Sequence, residues 1–373
     1  MKPQLGKRLL ADQMKWDDTR ATAEFAWLES IVEYKYDHYQ GFNPGSRFFV
    51  SLLSWITQFE PSDRETAYGM IRDRLVFISQ REMHHLVSLT FPRLQRDNRR
   101  AIADELGIAM YATWGNEVAE RRVKEMSIRT LYVGLSDGAR TDVLRRFNDG
   151  VISNEQIVAS TEISDKKWTG LIKDLKTRLS SAGLGHVDPS FERVCLVDDF
   201  TASGSTLIRK GTAGWDGKVP KFIRHIQEKE FFGGHIASSS IFQIHHFIGS
   251  NYAKDNINSL LDEFELMLGQ NGTKLKATFS TVFTQAIVVD ASCDANLVAF
   301  LKKYYGSTCE SKHTDKDIWF GYKNGGLPLV LEHNTPNNSV ALLWAACKQS
   351  DARHVMKPLF PRKQRHVDHG QSV

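Results

Sequence analysis

Through the first third of the chain apolar residues recur at intervals of three and four, as at Phe25, Leu28, Ile31 and Val32. That spacing puts them on one face of a helix. Residues 17–126 therefore read as helical, broken where the composition stops a helix. Gly41, Phe42, Asn43, Pro44 and Gly45 separate the first helix from an aromatic one holding Phe48, Phe49, Leu52, Trp55, Ile56 and Phe59. Pro61, Ser62 and Asp63 open the next, since a Ser or Asp ahead of a periodic segment caps the free N–H groups of its first turn. At Thr130 the pattern changes. Short apolar runs at residues 131–134, 156–160, 194–197, 235–248, 283–290 and 327–331 predict strands, and helical spacing returns near 141, 222–226, 257–268 and 295–305. This alternation predicts an α/β fold, a parallel doubly wound sheet preceded by an N-terminal helical region, with ligands at the carboxyl ends of the strands. The chain divides into a helical region at residues 1–128, an α/β domain at 129–345 and a basic tail at 346–373.

Chemistry concentrates where one strand ends. Val194, Cys195, Leu196 and Val197 form an apolar run that stops at Asp198 and Asp199, placing two acids above the sheet edge. Ala202, Ser203, Gly204, Ser205 and Thr206 follow, all small or hydroxylic, and Leu207, Ile208 and Arg209 read as the start of a helix. Successive backbone N–H groups, a positive helix end and three hydroxyls suit a phosphate. A second strand-loop-helix unit lies upstream: residues 131–134, a loop with Ser136, Asp137, Gly138 and Arg140, then a helix from about Thr141. Backbone N–H groups near Gly138 and the Arg140 guanidinium suit another anion; an ordinary strand-helix turn is the alternative. A third polar loop follows the run at 327–331. Its His333, Asn334, Thr335, Asn337 and Asn338 offer donors and acceptors to the mixed edge of a base or amide, the alternative being a turn that bonds itself. Neither His84-His85 nor His245-His246 presents both rings to one metal, because neighbours diverge on a helix and oppose on a strand.

From residue 194 to residue 206 the chain resembles the type I phosphoribosyltransferases, whose motif is an apolar strand, an acid pair, two spacers and a small hydroxyl-rich loop around one glycine. The resemblance implies that Asp198 and Asp199 hold the ribose hydroxyls of phosphoribosyl pyrophosphate, directly or through magnesium, as the catalytic and metal-binding pair. It implies that Ala202 to Thr206 bind the 5-phosphate and that the loop with Ser136, Asp137, Gly138 and Arg140 binds pyrophosphate. Two positions depart from the pattern: Thr201 stands where an aliphatic is usual, and Ala202 where some members carry a catalytic Asp. The stretch around Lys166 and Lys167 occupies the place of a mobile flap in that fold; a solvated helix face is the alternative. The 327–339 block, combined with the motif at 194–206, a glycine-rich turn at residues 211–218 that leads into the helix at 222–226, and residues 358–362, resembles a narrower group, phosphoribosyltransferase-like effectors of prokaryotic conflict systems, some of them retron-associated. In that group a reverse transcriptase and its DNA product act as partners.

Composition is ordinary for a globular protein, and 373 residues suffice for a sizeable core. The net charge of +4 lies wholly in the last residues, where Lys348, Arg353, Lys357, Arg362, Lys363 and Arg365 face only Asp351 and Asp368. That tail suits a polyanion or an acidic surface, and through it a nucleic-acid partner. Four scattered cysteines without a C-x-x-C, no membrane-length apolar run and no signal-like start predict a cytoplasmic protein. The expected function is an antiviral effector enzyme that takes phosphoribosyl pyrophosphate with magnesium and moves the phosphoribosyl group to an unidentified acceptor. A ligand sensor without turnover and a nucleoprotein-docking subunit are the alternatives.

Overall fold

The computed structural model describes residues 3–45, 47–212, 214–269, 272–310, 316–347 and 356–363. Two compact units are present, one built from Met1–Glu82 together with Thr284–Val373, the other from the continuous Met83–Phe283. The five-stranded sheet lies wholly in the second, while the strand expected at 327–331 falls in the first and pairs there. The strands of the sheet are β1 (Thr130–Gly134), β2 (Ile157–Val158), β3 (Phe191–Thr201), β4 (Ile236–Ser250) and β5 (Lys274–Phe283). They run in the order β2-β1-β3-β4-β5, and each neighbouring pair is parallel. A parallel α/β sheet is thus what the alternation encoded.

The two faces of this sheet differ in kind. Leu131 and Val133, Val194 and Leu196, Phe242 and Ile244 share one face, and with Trp168, Leu171, Ile223, Ile226, Ile257 and Leu261 they form one apolar cluster. Those partners belong to helices Asp165–Ser181, Lys218–Glu228 and Asn251–Leu268. Ser164 and Ser250 cap the first and last of these by accepting from Lys167 N and Ala253 N. On the other face lies a buried polar layer. Arg193 Nη1 donates to Gln243 Oε1 at 2.6 Å, Gln243 Nε2 to Thr278 Oγ1 at 3.2 Å, and the His245 ring meets Thr278 Oγ1 at 2.9 Å and Ser280 Oγ at 3.0 Å. Helix Thr90–Leu106 reaches the same edge through Arg93, whose Nη2 donates to Ser280 O at 2.8 Å.

The strand expected at residues 283–290 is a correction. The extended segment is β5, Lys274–Phe283, whereas Gln285–Ile287 is a 3-10 turn. In β5 Leu275, Ala277 and Phe279 join the apolar cluster while Lys276, Thr278 and Ser280 alternate with them. Polar residues facing a polar layer hid this strand from an apolar-run criterion. Trp168 is fully buried and Lys166 and Lys167 are exposed on a regular helix, the solvated face rather than a loop.

The other unit joins the two ends of the chain. Strand Val76–Ile78 pairs in parallel with Leu329–Leu331. Helix Phe48–Thr57 contributes Trp55, whose indole N–H donates to Leu342 O at 2.9 Å. Phe360 is fully buried, its N–H donates to Leu343 O at 2.8 Å, and its ring stacks with Phe48. Full burial of such a ring stabilises by about 1.5–3 kcal/mol, so the described stretch 356–363 of the basic tail is part of a core. Residues 348–355 and 364–373 lie outside the described residues. Among the described residues no helix is long and apolar enough to cross a membrane.

Candidate functional site

β1 and β3 are neighbours, with β2 beyond one and β4 beyond the other, so the chain's path reverses direction between them. A crevice opens outside the strand ends at such a switch point. Both anion loops proposed from the sequence leave the sheet here. Val133 pairs with Leu196 and Gly134 with Val197, which sets the loop after β1 beside Asp198 and Asp199; the strand does not stop at the acids, as the apolar run suggested, but stays paired with β4 as far as Thr201.

The acids are built in, not exposed. Asp198 and Asp199 are 6% and 7% accessible. Asp198 Oδ1 accepts from the Ser136 hydroxyl, a contact spanning 62 positions of sequence, and from the Asp199 N–H at 3.1 Å. Its Oδ2 accepts from Lys218 Nζ at 2.9 Å. Burial and the neighbouring Asp199 charge hold the Asp198 carboxyl above its ordinary pKa, against the opposing pull of Lys218 and Ser136. Asp199 Oδ1 accepts from Phe200 N at 2.7 Å. Gly138 lies so near that a Cβ there would stand 2.2 Å from Asp199 Oδ2, so only glycine admits this approach. Gly138 N–H donates to Ser136 Oγ at 3.2 Å, Asp137 is exposed, and Arg140 takes left-handed backbone at φ 47°.

The hydroxyl loop is held from several sides. Thr201 Oγ1 accepts from Gly204 N at 3.1 Å, which gives the unusual threonine a task in shaping the loop. Ser250 Oγ donates to Ala202 O at 2.6 Å and Asn256 Nδ2 to Ser203 O at 2.8 Å. Ser203 and Ser205 share a hydroxyl contact at 3.0 Å, and Thr206 is exposed. The helix expected at residue 207 does not follow directly. One turn, closed by Leu207 N and Ile208 N on Gly204 O, gives way to the hairpin Arg209–Gly211 with Gly214–Asp216, and the helix is Lys218–Glu228. Lys218 N and Val219 N then donate to Thr206 O and Leu207 O, so the helix begins against the turn at 204–208. The glycine-rich composition of residues 211–218 signals a turn there and the spacing at 222–226 the helix after it, whereas the bonds back to Thr206 O and Leu207 O have no local signal.

Lys218, Ser250, Asn256 and His246 are site residues that the sequence did not single out. His246 pairs in register with Asp198, its ring stacks on Phe279, and its buried Nδ1 has no hydrogen-bond partner among the described residues. Burial keeps it neutral, lowering its pKa to about 3 despite the nearby Asp199 charge. Tertiary pairing alone reveals it.

The third predicted loop belongs to the unit built from the chain ends. Asn334 Oδ1 accepts from Thr335 N at 3.0 Å and Lys363 N at 2.9 Å, Asn338 Nδ2 donates to Tyr322 O at 2.9 Å, and Thr335 Oγ1 meets Tyr39 OH at 2.9 Å. Asn337 accepts through its backbone from Tyr322 N, and His333 Nδ1 lies 3.6 Å from Glu332 Oε1. These bonds tie the loop to residues of its own unit.

A family model, PRTase-CE, matches residues 52–362. The chain belongs to the PRTase-CE family. This is a phosphoribosyltransferase-type family, and the PRTase-CE match spans both the acid pair and the hydroxyl loop. No curated protein and no solved structure matches the chain.

For a divalent metal the PRTase-CE site offers two adjacent carboxylates; no group of three or more acidic, His or Cys ligands occurs among the described residues. Magnesium commonly takes one or two carboxylates and completes its shell with water and phosphate oxygens. That donor set fits an ion carried with a phosphate ligand.

Proposed function

We propose that the chain is a phosphoribosyltransferase-type enzyme that binds phosphoribosyl pyrophosphate at the carboxyl ends of β1 and β3 and transfers or releases the phosphoribosyl group. The observation that carries this reading is the Ser136–Asp198 contact. It joins the loop after β1 to the acid pair near the end of β3, and membership of a phosphoribosyltransferase-type family supports such chemistry here. The strand order, and helices bonded to both faces, support a doubly wound sheet of the type I kind.

The roles follow from the groups. Asp198 and Asp199 would accept from the ribose hydroxyls, the loop 202–206 with Ser203, Ser205 and Thr206 would hold the 5-phosphate, and Ser136, Gly138 and Arg140 would receive pyrophosphate. Magnesium, when bound, supplies charge neutralisation on the leaving pyrophosphate. The bond from C1 to pyrophosphate oxygen breaks with its electron pair leaving on that oxygen. A nucleophile, water included, forms the new bond at C1 and yields its proton to solvent. Donors on the leaving group matter more than a strong base in such a reaction, which accommodates Ala202. An antiviral role, with a reverse transcriptase and its DNA as partners, rests on the resemblance to conflict-system effectors and belongs to this proposal only through it.

Asp198→Asn and Asp199→Asn test the reading. Binding of phosphoribosyl pyrophosphate with magnesium, followed by calorimetry, and pyrophosphate release are both expected to fall at least tenfold in each variant. Unchanged binding and release in both would remove the site assignment.

A further inference from the structure

Lys218 opens a helix that follows a hairpin. After the single turn at residues 204–208, the hairpin Arg209–Gly211 with Gly214–Asp216 leaves and returns, and the helix begins at Lys218 with its first N–H on Thr206 O at 3.1 Å. The hairpin is pinned by an Arg209–Asp216 ion pair and by Lys221 Nζ on Asp216 Oδ1 at 3.1 Å. The lysine backbone is thereby fixed to the last residue of the hydroxyl loop. Its side chain, about one-third exposed, extends to Asp198, which is 8% exposed. One residue thus joins the Asp198 carboxylate, through its ammonium, to the loop assigned to phosphate, through its backbone N–H.

Every donor on Asp198 is internal: Ser136 Oγ, Asp199 N and Lys218 Nζ. A ribose hydroxyl or a cation that takes the position Lys218 Nζ holds on Oδ2 therefore competes with the lysine. A dianionic phosphate beside Thr206 offers that ammonium a stronger partner than a carboxylate already bonded twice at its other oxygen.

We propose that Lys218 is an exchangeable counter-ion that moves between Asp198 and the ligand's 5-phosphate, so that phosphate binding frees Asp198 for the sugar or a divalent cation. The inference rests on the phosphoribosyl reading of the site and adds a phosphate-binding residue and an order of events to it. It requires Lys218 both to strengthen phosphate binding and to weaken metal binding in the absence of phosphate. A lysine serving only to neutralise Asp198 does the second alone.

The test uses the full chain and two probes, ribose 5-phosphate by calorimetry without metal and Mn2+ alone by electron paramagnetic resonance. Loss of a charge-assisted contact corresponds to a roughly ten- to hundred-fold change in affinity. Lys218→Met is expected to weaken ribose 5-phosphate binding by that factor and to tighten Mn2+ at least several-fold, with an unchanged thermal midpoint; Lys218→Gln serves if the Met variant fails to fold. Wild-type ribose 5-phosphate affinity in the variant overturns the exchange, whatever Mn2+ does. Equal Mn2+ affinity in both proteins overturns it too. If wild-type protein binds neither ribose 5-phosphate nor phosphoribosyl pyrophosphate, the phosphoribosyl reading itself falls, and with it the phosphate half of the exchange.

Discussion

At the scale of single residues, the site depends on groups whose chemistry is set by burial. His245 makes the point away from the crevice. Its ring lies among hydroxyls in the polar layer, fully buried, and burial lowers its pKa to about 3, with His246 and Arg93 adding to the effect. The unfolded chain takes up a proton near the ordinary 6.5 while the folded chain refuses it. The folded state is therefore favoured fully above pH 6.5 and loses stability as pH falls toward 3, by about 1.4 kcal/mol per pH unit for this one group. His246 acts with the same sign, and the raised Asp198 carboxyl with the opposite sign above its ordinary value of 3.8. Urea midpoints between pH 7.5 and 4.5 are expected to fall with acid below 6.5, and His245→Gln to flatten the slope by about one proton. An equally steep slope in the variant would mean the imidazole is not what acid reaches.

Among elements, the inserted hairpin matters most. Gly217, at φ 115°, precedes the helix that begins at Lys218, and a Cβ there would lie 2.5 Å from Leu207 O. Gly217→Ala is expected to destabilise by about 1–3 kcal/mol and to weaken ribose 5-phosphate binding by displacing Lys218. Denaturant melts and calorimetry measure the two effects, and a variant of native stability would show that the return of the chain is not strained there. The same element shows where sequence reading ends. β1, β3 and the loops after them were legible because apolar runs and small hydroxyl residues act locally. The helix holding Phe222, Ile223 and Ile226 was legible too, but not the bonds that seat its start, Lys218 N and Val219 N on Thr206 O and Leu207 O across the hairpin. β5 escaped notice for a related reason: Lys276, Thr278 and Ser280 look like surface residues until Gln243 and His245 are placed opposite them. The acid pair was visible as a strand end, while His246 beside it required the register of β4.

On the scale of the whole molecule, the sheet and the acid pair fall within one uninterrupted segment, Met83–Phe283. That segment alone is expected to fold and to retain ribose 5-phosphate affinity within about threefold of the full chain, since its apolar cluster and both anion loops are internal to it. Circular dichroism and calorimetry on the excised segment decide this, and an unfolded segment would show that its core is not self-sufficient. The unit built from the chain ends has a different history. Tyr36, Phe48 and Phe77 surround Phe360, so rings from the opening residues wait for one near the close. At common synthesis rates the intervening segment takes roughly 10 to 40 seconds to appear. On the ribosome the crevice-bearing segment can therefore emerge and fold while its companion is still half made, and a chain truncated before Phe360 carries Asp198 and Asp199 without the ring that completes the other core.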